Sequence, residues 1–173
     1  MSNVKEGTYS MMELRRKEKA ITNTDEMKKI LQQTKYVTIA MSDNNEPYLV
    51  TLSHGYDPMD NIIYFHCASD GKKIDILEKN NIVWGQALID KGYVQGKCDH
   101  LYKTVMFHGH VSFIIDENEK RHALERMIRQ LDQNPDMVMK EQITKRSLKR
   151  VNIGKIEIDY MSGKTADNII TSI

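Results

Sequence analysis

Between residues 36 and 79 the chain writes three β-type runs and then a short helix, with a polar break at each junction. This order constrains the fold more than any other feature. Residues 36–41 are β-branched and apolar, residues 43–46 form a turn cluster, and residues 47–56 alternate as a second strand, which together read as a hairpin. In the second strand Tyr48, Val50, Leu52 and His54 share one face, while Leu49, Thr51 and Ser53 share the other. A third strand over 62–67 follows another polar turn. Ser69, Asp70 and Gly71 break it, and residues 72–79 read as a helix with Ile74 and Leu77 on one side. The first N–H groups of that helix lack partners, its dipole is positive there, and Lys72 and Lys73 add compact charge. A helix start of this kind can bind phosphate, so the segment points to a phosphorylated ligand; the alternative is an ordinary solvated cap on a lysine-rich helix.

The flanking sequence continues the pattern. Residues 22–33 open with Thr22 and Asp25 and place Met27, Ile30 and Leu31 at helical spacing. Strands are expected over 82–89 and 104–115, separated by a polar loop, and over 151–160, where Ile153, Ile156 and Ile158 are apolar. Asp116 and Glu119 mark a helix start, with Leu124, Met127, Ile128 and Leu131 as its buried stripe and Asn134-Pro135 as its end. A further helical segment spans 137–148. The six strands, mostly antiparallel, with helices at the start, in the middle and before the last strand, predict a mainly β (α+β) chain. A small barrel with helical attachments fits this pattern, and a two-layer sandwich would give a similar one.

The 173 residues fit one domain spanning 1–173, and the sequence contains no internal repeat, linker or low-complexity segment. With 25 Lys plus Arg against 24 Asp plus Glu, the chain is not a general nucleic-acid or membrane-surface binder, and a small-molecule ligand fits better. The basic runs at 15–19 and 145–150 are short and flanked by polar residues. Cys67 and Cys98 form no CxxC pair and the N-terminus shows no apolar leader, so a reducing cytoplasm is expected. No segment approaches the roughly 20 apolar residues needed to cross a bilayer.

Histidine is the natural acid or base near neutrality. His66 ends the third strand four residues before Asp70, which puts it within reach of a ligand at the phosphate-type site. Alternatively it is a half-buried strand histidine bonded to a carbonyl. His108 and His110 project from one strand face and could bind metal, but zinc takes three or four protein ligands, and no second cluster at convincing spacing supplies them. Cys98 and His100 are the nearest candidates, and no metal is expected. A single imidazole from His54, His66, His108 or His110 could instead be an axial haem ligand. His122 is expected to be solvated. Cys67 adjoins His66, but adjacent strand residues point to opposite faces, which excludes a shared proton.

Several short motifs in order carry a resemblance. They are Arg15-Arg16-Lys17-Glu18-Lys19 leading to Ile21-Thr22, then Pro47-Tyr48-Leu49-Val50, then Tyr64-Phe65-His66-Cys67-Ala68 with Gly71-Lys72-Lys73. Cys98, the run Tyr102-Lys103-Thr104-Val105 into Gly109, and Ser162-Gly163-Lys164 complete it. The chain resembles the FMN-binding split-barrel superfamily that includes pyridoxamine 5'-phosphate oxidase, and within it the nitroimidazole-resistance (Nim) branch. The resemblance implies a six-stranded antiparallel split β-barrel with flanking helices. It also implies a homodimer with two FMN sites at the subunit interface.

By the same resemblance Leu49, Val50, Thr51 and Leu52 line the flavin and Lys72 and Lys73 hold its phosphate. Tyr102, Lys103 and Thr104 reach it from the partner, and His66 matches the histidine that Nim-type proteins place beside the redox centre. Thr104 stands where many relatives have Ser or Gln. His108 and His110 enrich the fifth strand in imidazole, and related split barrels bind haem or a deazaflavin in place of FMN. The implied activity is a flavin-dependent reductase acting on small electron-poor substrates such as 5-nitroimidazoles. The alternatives are a haem-binding or haem-handling split barrel and a non-catalytic flavin-binding module. Oxidation of pyridoxamine phosphate would need a second phosphate site, which the sequence does not show.

Overall fold

A computed structural model describes residues 14–167. The reading of the N-terminus as lacking a leader, and the outer ends of the single-domain reading, lie outside the described residues. After a 3-10 turn at Lys17–Lys19, the strands are β1 (Ala20–Ile21), β2 (Tyr36–Asp43), β3 (Glu46–Ser53), β4 (Gly55–Asp57), β5 (Ile62–Cys67), β6 (Ile82–Val94), β7 (Asp99–Phe113) and β8 (Asn152–Ala166). The helices are α1 (Thr24–Gln33), α2 (Lys72–Lys79), α3 (Glu117–Leu131), α4 (Pro135–Gln142) and α5 (Lys145–Arg150).

All pairings are antiparallel, in the order β3-β2-β6-β7-β8-β5-β4, with β1 added to β8. The two end strands of that order, β3 and β4, are separated in sequence by His54 alone. The sheet must therefore curl until its ends meet at that residue, although β3 and β4 do not pair. This is the expected split barrel, except that the strand expected over 47–56 is broken at His54 into β3 and β4 and the short β1 is additional.

Local chemistry accounts for the elements. Asn44 and Asn45 both take positive φ, at 50° and 65°, as a two-residue hairpin turn between twisted strands requires. Helix α1 buries Met27, Ile30 and Leu31 as its spacing predicts, but its cap is Asn23, which accepts from the Asp25 and Glu26 N–H groups. Asp116 caps α3 as expected. The segment 137–148 is two helices, because Thr144 and Ser147 form a reciprocal capping box that starts α5 afresh. The polar loop expected between the fourth and fifth strands is largely paired, since β6 and β7 extend to Val94 and Asp99. Ser162, Gly163 and Lys164 lie inside β8, not after it.

The main core takes one face of the curled sheet, with Val37, Ile39, Met41, Phe65, Val83, Ala87, Val105 and Phe107 in contact with α1 and α2 residues. Phe107 lies across Gly85 of the neighbouring strand and Phe65 across Gly154. A Cβ on these glycines would fall 2.2 Å and 2.3 Å from the rings, so the two aromatic side chains fill space that only glycine leaves open. A smaller cluster of Tyr64, Ile114, Ala123, Met127 and Ile153 seats α3 on the opposite face of β5.

The corner at His54 is fully buried. Its Nε2 donates to the Leu31 carbonyl at 3.0 Å, and its N–H donates to the Lys35 carbonyl. Gln130 of α3 closes the same corner. Its amide NH2 donates to the carbonyls of Leu31 and Thr34 at 3.0 and 2.7 Å, and its Oε1 accepts from the Tyr56 N–H. Burial pushes the His54 imidazole below its ordinary value, with the backbone hydrogen bonds opposing that shift. The unfolded chain therefore binds this proton first, so His54 favours the fold fully only above the ordinary histidine pKa of about 6.5. Stability should fall as pH drops below that value. The midpoint of thermal unfolding, measured between pH 7.5 and 5, should decline more steeply for the native chain than for His54→Gln. Parallel profiles would remove His54 as the cause.

Candidate functional site

The expected turn and helix start form at α2. Gly71 takes a φ of 108°, which favours glycine, and the helix that follows has no side-chain cap on its first N–H groups. The Lys72 ammonium stands 4.8 Å from the centre of the Tyr48 ring, and that of Lys73 stands 5.7 Å from the centre of the Phe65 ring. Among the described residues neither lysine belongs to a salt bridge. Lys72 thus brings the helix start against β3, the strand that carries Leu49 to Leu52. Uncapped N–H groups, two unneutralised ammonium groups and an adjoining strand fit a phosphate with a planar ring system attached.

Along β3 the pattern is as expected: Tyr48, Val50 and Leu52 pack against the core, and Leu49 and Thr51 face outward. Leu49 is 63% exposed and joins a broad outer face of the sheet that also carries Tyr36, Trp84, Leu88 and Met106. The register places Leu49, Ala40, Trp84 and His108 in one row and Thr51, Thr38, Gln86 and Met106 in the next.

Tyr102, Lys103 and Thr104 lie on β7, three strands from β3, so a single chain does not bring them to the α2 start. Thr104 is buried and its hydroxyl donates to the Ala87 carbonyl at 2.9 Å and accepts from Gln86 at 3.0 Å. Lys103 is held by Glu26 at 2.6 Å and Asp167 at 3.1 Å, so its ammonium is already neutralised.

His66 is exposed and points away from Phe65 and Cys67, on the face of β5 that Tyr64 turns toward α3. It does not converge with Lys73 within one chain. Cys67 does lie beside Lys73. Burial pushes its thiol above the usual range, and the lysine charge only partly offsets that shift.

The other histidines divide sharply. His54, weighed as a haem ligand, is sealed in the corner with its Nε2 on Leu31, and does not fit that role. His122, expected to be solvated, instead donates to Asp57 at 2.8 Å, and Arg126 contacts the same carboxylate oxygen at 3.0 Å. Burial acts to raise the Asp57 carboxyl, but these groups and the Met59 N–H outweigh it and hold the carboxyl below its usual range. His100 pairs with Asp90 at 2.7 Å near the β6–β7 turn, and Cys98 sits in that turn. Eight residues of strand separate His100 from His108, roughly 26 Å, so neither joins the HxH pair.

Asp159 does join it, and spacing along the sequence did not show this. The β7–β8 register slips between His108 and Gly109, leaving Asp159 as an extra residue on β8. Its carboxylate meets His108 Nδ1 at 2.6 Å and His110 Nε2 at 3.2 Å.

A family profile described as pyridoxamine 5'-phosphate oxidase matches residues 23–165. The chain belongs to that family. A candidate 5-nitroimidazole antibiotic resistance protein from Bacteroides thetaiotaomicron is 27% identical, with 84% of this chain and 86% of that one covered and a TM-score of 0.72. The flavocytochrome Anf3 from Azotobacter vinelandii is 18% identical over 90% of this chain and 72% of its own, with a TM-score of 0.75. An FAD- and heme-binding protein from Mycobacterium smegmatis is 15% identical over 90% and 77%, with a TM-score of 0.73. These last two show the shared fold. No curated protein matches the chain. Among the described residues no helix is long and apolar enough to cross a membrane.

Iodoacetamide at neutral pH should alkylate exposed Cys98 well before half-buried Cys67, as read by peptide mass spectrometry over time. Equal rates would mean that Cys67 is a more reactive thiol than its surroundings indicate.

Proposed function

We propose that this chain is an FMN-dependent oxidoreductase of the Nim type that reduces small electron-poor substrates such as 5-nitroimidazoles. The observation that carries the reading is the uncapped start of α2, with Lys72 and Lys73 free of carboxylate partners among the described residues, set against strand β3. The family match and the relative named for 5-nitroimidazole resistance support it. When bound, the flavin supplies the electron transfer, and the chain positions it.

In this reading the α2 N–H groups and the two lysines hold the phosphate. Leu49 and Thr51 lie along the ring system through their side chains, and Val50 and Leu52 through their backbone. A second copy of the chain covers the outer sheet face, whose exposed Tyr36, Leu49, Trp84, Leu88 and Met106 form an apolar surface of the kind that marks an interface. That copy brings Tyr102, Lys103 and Thr104, which one chain cannot deliver to its own α2. Lys103 would do so as a positioning group, since Glu26 and Asp167 already balance its charge. His66 borders the loop that leads into α2 and is the proposed proton donor, to a substrate on the face of β5 turned away from Lys73 of the same chain.

The visible spectrum of the purified protein, with mass spectrometry of the released small molecule, tests the cofactor. Released FMN supports the reading, and a haem Soret band without flavin overturns it. Lys72→Ala with Lys73→Ala should weaken FMN binding at least about tenfold, since each lysine supplies a charge-assisted contact to the phosphate. His66→Ala should retain FMN and lower anaerobic nitro-reduction roughly 10²-fold. Unchanged turnover would exclude His66 from the chemistry.

A further inference from the structure

We infer that His108, His110 and Asp159 form a binding site for a divalent transition-metal ion of the zinc type, distinct from the flavin site proposed above. Their donor atoms all lie within 4.8 Å of one another. Metal–nitrogen and metal–oxygen bonds of about 2.0–2.2 Å around a tetrahedral ion would bring them to roughly 3.4 Å apart. The exposed His110 and Asp159 side chains have room to rotate and would have to supply that contraction, while the buried His108 is held in the sheet.

Three features make the arrangement more than a chance meeting of surface charges. First, His108 and His110 are two residues apart on β7, which is paired on both sides, so their rings are presented on one face by rigid backbone. Second, the β-bulge on β8 re-aims Asp159 toward that same face, between the register pairs His108–Tyr160 and Gly109–Ile158. Third, a single carboxylate faces both imidazoles, hydrogen-bonded to His108 Nδ1 at 2.6 Å and lying 3.2 Å from His110 Nε2. A cation can replace the ring protons in such a triad, because a metal requires the neutral imidazole lone pairs and an ionised carboxylate.

The donor set also selects the class of ion. Two imidazoles and one carboxylate suit zinc, copper, nickel or ferrous iron better than calcium or magnesium, which take oxygen ligands. Three protein donors leave at least one coordination position open for water or another small ligand. His108 is 3% exposed, covered in part by Trp84, whose ring centre lies 5.2 Å from its own, while His110 and Asp159 are about half exposed, so the ion would sit at the sheet surface over one buried ligand. Trp84 is the single tryptophan of the chain and therefore a built-in reporter.

The test uses the untagged full chain, stripped with a chelator and titrated with Zn²⁺ by calorimetry and with Co²⁺ by visible absorption and Trp84 emission. One ion per chain and quenching of Trp84 by Co²⁺ are expected. His110→Ala and Asp159→Asn should each keep the far-UV circular dichroism and thermal midpoint. Each should weaken binding beyond the roughly 10–100-fold that loss of an outer hydrogen-bond partner costs a metal site. The double variant Cys98→Ser, His100→Ala should bind as the native chain does. Absence of saturable binding, or unchanged affinity in the His110 and Asp159 variants, overturns the inference. Flavin content is read separately, so failure here leaves the proposed flavin chemistry standing, and the reverse.

Discussion

The structure depends on the corner at His54. The sheet begins and ends on strands that this one residue separates, so the curl of the barrel is set where Ser53 hands over to Gly55. Three elements meet there. The end of α1 offers the Leu31 and Thr34 carbonyls, α3 contributes Gln130, and β4 contributes the Tyr56 N–H. Gln130 spends its whole amide on these groups, which satisfies the buried backbone groups of the corner, while His54 Nδ1 has no hydrogen-bond partner among the described residues.

With the corner closed, the long strands β6, β7 and β8 divide the labour between two faces. Inward, Phe107 over Gly85 and Phe65 over Gly154 fill the core. Outward, the same strands present Trp84, Leu88, Met106 and the His108–His110 pair. Helix α2 then packs Ile76 and Leu77 into the core and leaves its lysine-bearing start at the rim, against Tyr48. The candidate cofactor strand β3 and the histidine cluster on β7 thus lie on one sheet, three strands apart in it.

Much of this was legible in the sequence. The buried stripe of α1, the alternating faces of β3, the Asp116 cap and the Asn44-Asn45 turn follow from periodicity and turn chemistry. So does the start of α2. Other features left no readable trace. Burial continues through Leu52, His54 and Tyr56, so the pattern passes the corner without marking it. Ala123 is fully buried in α3 but too small to stand out beside Leu124. His122 looked solvated because its partner, Asp57, lies 65 residues away.

The sequence alone determined the succession of strands and helices, the lysine-marked helix start and the imidazole pair on β7, because each rests on spacing within one element or on the turn that follows it. Tertiary structure decided which distant groups those elements meet. Closure of the sheet buried His54 and withdrew it from any cofactor. One extra residue in the β8 ladder turned Asp159 toward His108 and His110, and a single-residue slip of register between strands more than forty residues apart has no signature in the pattern of either strand.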